Sequence, residues 1–254
     1  MRLTAIKAIA VALALAGCSN NPYPASDRGQ KILYSSFAEA PKTLDPAVAY
    51  TTASHIITGN VYDTLLEYHF LKRPYELMPA LAESVPAAVS HPDGGVSYLF
   101  KIRDGILFHG DPCFQLSQGD GRSREVRAAD FAFELARLAD PAVNSPLAGS
   151  FAQVQGFAPF AERLAAMRQA DPAFAALPAH EQYKRAGGIT GVIVRSEREL
   201  EIVLSEAKPQ ILYFFAMPFT TPVPWEAVAY YNGQQGRALC RSPRRHRALP
   251  AGGL

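Results

Sequence analysis

Cys18, Cys113 and Cys240 are the residues of this 254-residue chain whose chemistry needs the least context. A thiol can be acylated, paired or bound to a metal, and its spacing from other ligating residues narrows the choice. No two of the three stand at C-x-x-C spacing, and no HExxH sets two histidines one helical turn apart for a metal. The six histidines, at 55, 69, 91, 109, 180 and 246, are scattered. A lone histidine such as His109 is more often a polar loop residue than a ligand. No glycine-flanked serine forms a nucleophile elbow. The expectation is therefore a protein that performs no catalysis and needs no cofactor or metal. Cys113 and Cys240 could pair only in an oxidising compartment, and Cys18 has a different setting.

Residues 13–20 read LALAGCSN. Arg2 and Lys7 supply positive charge ahead of residues 8–16, a run of small and apolar side chains. That is the layout of a secretory signal, and it is shorter than the roughly 20 apolar residues a membrane-spanning helix needs. Leu15-Ala16-Gly17-Cys18 stands at the end of the run and resembles the bacterial lipobox. That motif implies a cysteine that is acylated and becomes the first residue of the mature chain. Cys18 is accordingly the candidate lipidation site; the alternative is an ordinary signal peptide with an incidental cysteine.

The elements behind this anchor are those of a globular body. Apolar residues make up 48% of the chain, which is ordinary for a packed domain. The net charge of +2 is unevenly sourced. Two of the 25 basic residues lie in 1–17 and four in 238–254, leaving 19 against 23 acidic ones in 18–237, a net of −4. A mildly acidic body argues against nucleic acid as a partner.

Residues 19–30 are rich in turn formers, as suits a tether. A strand signal follows at 31–37. Ile56, Ile57, Val61, Leu65 and Leu66 recur at helical spacing and predict a helix over 54–70. Val96, Tyr98, Phe100 and Ile102 alternate with Ser97, Lys101 and Arg103, which predicts a half-buried strand over 96–103. Pro92-Asp93-Gly94-Gly95 supplies the turn before it. Phe131, Leu135 and Leu138 share one face of a predicted helix over 128–139, with Asp130 near its start. A second helical stretch, about 158–184, is interrupted by Pro172 and Pro178, and 191–206 reads as a hairpin. The order is mixed, without regular βαβ alternation.

Several stretches, in this order, carry a resemblance: PKTLDPA (41–47), NVYDTLLEY (60–68), PALAESVP (79–86), GGVSYLFKIRDGILFHG (94–110), AADFAFELARLADPAVNSP (128–146) and LEIVLSEAKP (200–209). Together, over roughly 31–237, they resemble the N-terminal portion of a family 5 extracellular solute-binding protein. Such proteins are the dipeptide- and oligopeptide-binding components of ABC importers. Arg127 departs from the family pattern, standing where a serine or threonine usually opens the helix. The stretch 111–125 is longer than in many relatives and reads as a surface loop of unassigned role.

The resemblance implies an α/β mixed (α+β) fold, a periplasmic binding protein-like lobe with a mixed sheet and flanking helices. It divides the chain into a signal peptide (1–17), a lipid-anchored tether (18–30), a partial solute-binding lobe (31–237) and an aberrant or disordered tail (238–254). The second lobe, which carries the acidic partner of a peptide's amino terminus, is missing on this reading. By position, Tyr50, Thr51 and Thr52 would face the ligand from one loop, and Ser145 and Leu147 from another. The implied partners are a peptide or other small solute, an ABC permease in the inner membrane, and the membrane itself through the lipid anchor. The implied location is the periplasmic side of the cell envelope. The alternative is a truncated envelope lipoprotein or interaction module that binds no solute.

Overall fold

A computed structural model of the chain describes residues 29–32, 36, 38–118 and 122–233. The signal segment, Cys18, the 238–254 tail with Cys240, and most of the 18–30 tether and the 31–37 strand signal lie outside the described residues. The described residues from Glu39 onward belong to one compact unit.

The unit is built on a four-stranded sheet in the order β3-β4-β6-β5, with β3 Ala88–Ser90, β4 Val96–Lys101, β5 Val192–Ser196 and β6 Glu199–Leu204. All its pairings are antiparallel, with Tyr98 opposite Ile202 and Phe100 opposite Leu200. The α+β lobe expected from the sequence is present, its described strands joined only in antiparallel pairs. Alternation decides the faces. Val96, Tyr98, Phe100 and Ile102 are buried, as are Leu200, Ile202 and Leu204 across the ladder. The turn between β3 and β4 works because Gly94 adopts φ +85°, a region other residues reach only with strain.

Helix α2, Ala128–Ala139, covers the sheet and buries Phe131, Leu135 and Leu138 as its apolar stripe predicts. Arg127 offers no side-chain cap. The Asp130 carboxylate instead accepts the Arg127 N–H at 2.8 Å, which satisfies one of the open donors at the helix start. The proline-broken stretch resolves into α3 Phe157–Ala170, a turn at Pro172–Ala175, and α4 Ala179–Arg185. Helix α5, Trp225–Gly233, follows, with Trp225 against His180 at 4.0 Å between rings.

The predicted 54–70 helix is half right. Helix α1 runs Thr52–Val61, and then the chain extends into β1, Leu66–Tyr68, which pairs antiparallel with β2, Leu77–Pro79. The physical reason lies in Leu65 and Leu66, adjacent and both fully buried. Their backbones are taken by partners distant in space: Ala80 and Ala82 N–H donate to the Leu65 carbonyl, and Leu66 N–H donates to the Phe215 carbonyl. A helical continuation would forfeit those bonds.

Candidate functional site

The turn at 43–51 is pinned from several sides. Asp45 accepts the Ala47 N–H at 3.2 Å and an Arg137 guanidinium N–H at 2.5 Å. The Tyr62 hydroxyl donates to the Leu44 carbonyl at 3.1 Å. Arg137, on α2, also holds Glu134 at 2.7 Å, and both are buried. This clamp delivers Tyr50 to the surface at 67% exposure, with its ring 6.0 Å from that of Phe219. Thr51 caps α1 by accepting the Ser54 N–H at 3.2 Å, and Thr52 is exposed at its first position.

Ser145 and Leu147 sit on another element. Ser145 is buried, and its hydroxyl accepts the Leu147 N–H at 3.3 Å; Leu147 packs against the main core. Among the described residues no hydrogen bond joins this turn to the Tyr50 turn.

Next to α1 lies a groove of about 270 Å³. Its wall runs from His55 and Gly59 through Asp63 and Thr64 to Glu67 and Tyr68, and residues 216–218 close the other side. Tyr68 is fixed by rings of Tyr213 at 6.0 Å and Tyr75 at 5.5 Å. Asp63 is half-buried, its carbonyl accepts the Thr221 hydroxyl at 2.9 Å, and its Oδ2 is buried without a hydrogen-bond partner. Burial, and secondarily the Glu67 charge, push its pKa up.

Sequence reading missed Asp63, Glu67 and His55. If 54–70 were one helix, its apolar spacing would draw attention to the buried face; the extended chain after Val61 is what turns Asp63 and Glu67 to the groove.

Two further ion-pair networks are architectural. Arg124 reaches Asp130 at 2.6 Å and Glu226 at 2.7 Å, and Ser117 donates to Glu226 at 2.6 Å. Burial opposes ionisation of Glu226, yet the hydrogen bonds from Arg124 and Ser117 outweigh it and hold its pKa low. The second half of the long 111–125 stretch thus fastens α5 to α2. Asp140 likewise joins Arg168 at 2.5 Å and the Tyr183 hydroxyl at 2.8 Å. Among the described residues no group of three His, Cys, Asp or Glu could hold a metal.

The family model for bacterial extracellular solute-binding proteins, family 5 (middle portion), matches residues 76–238. The chain belongs to this family. Its members are extracellular binding proteins, not enzymes. The chain is 32% identical over 151 residues to Heme-binding protein A of Haemophilus influenzae, an alignment that takes in 56% of this chain and 25% of that protein. In fold it is similar to the pheromone receptor PrgZ, with a TM-score of 0.57 and 23% identity over 85% of this chain and 35% of the receptor. Listeria monocytogenes OppA bound to peptide gives 0.55 at 16% identity, over 80% of this chain and 32% of that one. The chain therefore spans a quarter of its curated relative and about a third of these solved structures.

Proposed function

We propose that this chain captures peptides, or a similar small solute, and delivers them to an ABC permease while Cys18 holds it at the membrane. The family match over 76–238 carries this reading. The peptide receptors that share the fold support peptide as the default ligand, and the pinned, exposed Tyr50 turn is the element suited to touch it. Thr51 and Thr52 would present backbone beside it, with Ser145 and Leu147 shaping a second approach. Extended peptides are recognised mainly through backbone hydrogen bonds, and side-chain pockets then set specificity.

The relative named for haem favours a second reading, in which a tetrapyrrole is the cargo. The groove argues for the first. At about 270 Å³ it falls below the roughly 300–1,000 Å³ of pockets that enclose a whole ligand, so it suits a terminal group better than a macrocycle.

Saturation-transfer NMR of chain 19–254 with a mixed di- to pentapeptide pool tests the proposal, because it detects weak binding. Transfer to peptide protons that added haem does not diminish is expected. Transfer to haem alone would move the ligand class, and silence toward both would favour the envelope protein that binds no solute.

A further inference from the structure

The turn that joins β1 to β2 carries the two most exposed large apolar side chains among the described residues, Phe70 and Leu71. Folding either back onto its own molecule would lower the free energy, so something must hold them out. The bonds of the turn itself do so. His69 Nδ1 accepts the Leu71 and Lys72 N–H groups, each at 3.2 Å, and the His69 N–H donates to the Glu76 carbonyl at 2.8 Å. Arg73 donates to the Lys72 carbonyl at 2.8 Å and lies over the Tyr75 ring, 4.3 Å from its centroid. Apolar and basic side chains thus share one fixed turn. Lys72 is balanced by Glu76 at 2.7 Å, whereas Arg73 faces a ring. Exposed tyrosines flank them: Tyr75 lies 5.5 Å and Tyr213 6.0 Å from the ring of Tyr68.

We propose that this turn is a contact with an anionic lipid surface, in which Phe70 and Leu71 enter the edge of the acyl region, Arg73 and Lys72 meet phosphates, and Tyr68 and Tyr75 lie at headgroup depth. Each of these side-chain types has that depth as its favoured place in a bilayer interface. Area argues against a protein occupant. A stable protein interface takes about 20–30 residues a side, and this turn with its flanking tyrosines supplies far fewer. A bilayer sets no such minimum. Two inserted side chains make a weak contact, which an anchor at Cys18 would strengthen by raising the effective concentration. Charge sets the orientation, because the body 18–237, at a net of −4, is repelled by an anionic surface and its basic turn is drawn to it. The proposal goes beyond solute capture and does not depend on which solute is carried.

The test is fluorescence quenching of chain 19–254 by vesicles of brominated phosphatidylglycerol at low salt and millimolar lipid. The arginines of 238–254 would also draw the chain to such vesicles, so depth at the turn is the readout, and adsorption alone is not. Phe70→Trp should be quenched beyond wild type, whose one tryptophan is Trp225. Val89→Trp, at an exposed position of β3, should not be. Brominated phosphatidylcholine should quench Phe70→Trp far less. Within the Phe70→Trp chain, Leu71→Ser and the pair Lys72→Gln/Arg73→Gln should each raise the midpoint lipid concentration several-fold. Glu76→Gln, which frees Lys72 from its partner, should lower it a few-fold, a change of sign that a merely structural role would not produce. Equal quenching of Val89→Trp, no quenching of Phe70→Trp beyond wild type, or indifference to all the charge variants would overturn the assignment. So would a discrete dimer that Phe70→Ser/Leu71→Ser dissolves, which would make the turn a contact between two copies of the chain.

Discussion

Phe100 and Lys101 are neighbours in the chain and opposites in environment. Phe100 is fully buried, with its ring 4.9 Å from that of Phe215, whereas Lys101 is exposed and only 3.9 Å from Glu199. Phe100→Ala should therefore cost about 3–5 kcal/mol, the transfer of a ring plus the cavity it leaves. Lys101→Ala should cost under about 0.5 kcal/mol, as exposed ion pairs contribute little. Urea melts of the two variants check this, and equal shifts would refute the face assignment. Glu134 gives a residue-scale prediction of the opposite kind. It is fully buried, its Oε1 has no partner, and burial pushes its pKa up to about 8 from an ordinary 4.5, against the pull of Arg137. A carboxyl raised in the folded state binds its proton more tightly there than in the unfolded chain. Its stabilising contribution is thus intact below about pH 4.5 and is lost as pH rises through about 8. Glu134→Gln should be penalised less and less relative to wild type as pH climbs through that window. Thermal melts across it should show the two curves converging or crossing; a constant difference would mean Glu134 does not titrate there.

At the scale of elements, a buried contact that ties α5 to a part of the chain 102 residues away is the pair Arg124 with Glu226. Removing one partner of such a pair leaves the other charge without compensation, which typically costs about 3–5 kcal/mol. Glu226→Ala should lose that much and raise hydrogen exchange across Trp225–Gly233, while Arg195→Ala, on the exposed Arg195–Glu201 pair of the β5–β6 hairpin, should lose little. If both variants unfold at the same denaturant concentration, α5 is not secured through Arg124. Helix α2 shows the contrasting case, an element whose ends and buried face follow from its own twelve residues.

For the whole molecule, the groove presents walls to an end group and no enclosure for a longer solute. Affinity depends on how much of a ligand is desolvated and how many of its groups are paired. The 254-residue chain taken alone should then bind members of a di- to pentapeptide pool more weakly than micromolar. Calorimetry checks this, and micromolar binding by a monodisperse sample would mean that the walls present here suffice. The apolar run ILYFFAMPF at 211–219 is largely an interior segment, with Ile211, Phe215 and Phe219 buried in the core. Exposure is instead concentrated at the tip between β1 and β2, where Phe70 is 86% and Leu71 77% exposed. A Phe70→Ser/Leu71→Ser double variant should reduce concentration-dependent light scattering without lowering stability.

What the sequence by itself determined is local. The alternation at 96–102, the stripe and bounds of 128–139 and the breaks at Pro172 and Pro178 are all legible, because period and helix-breaking residues act within a few residues. Tertiary structure alone decided the rest. Leu65 and Leu66 fit a helical period, and only their partners at Ala80, Ala82 and Phe215 make the chain extend there. Likewise the groove exists because residues 216–218 arrive opposite Asp63 and Glu67, a meeting across some 150 residues of sequence. Local periodicity says which side of a segment is buried. It carries no information about which distant segment covers it, and that pairing is where the site is made.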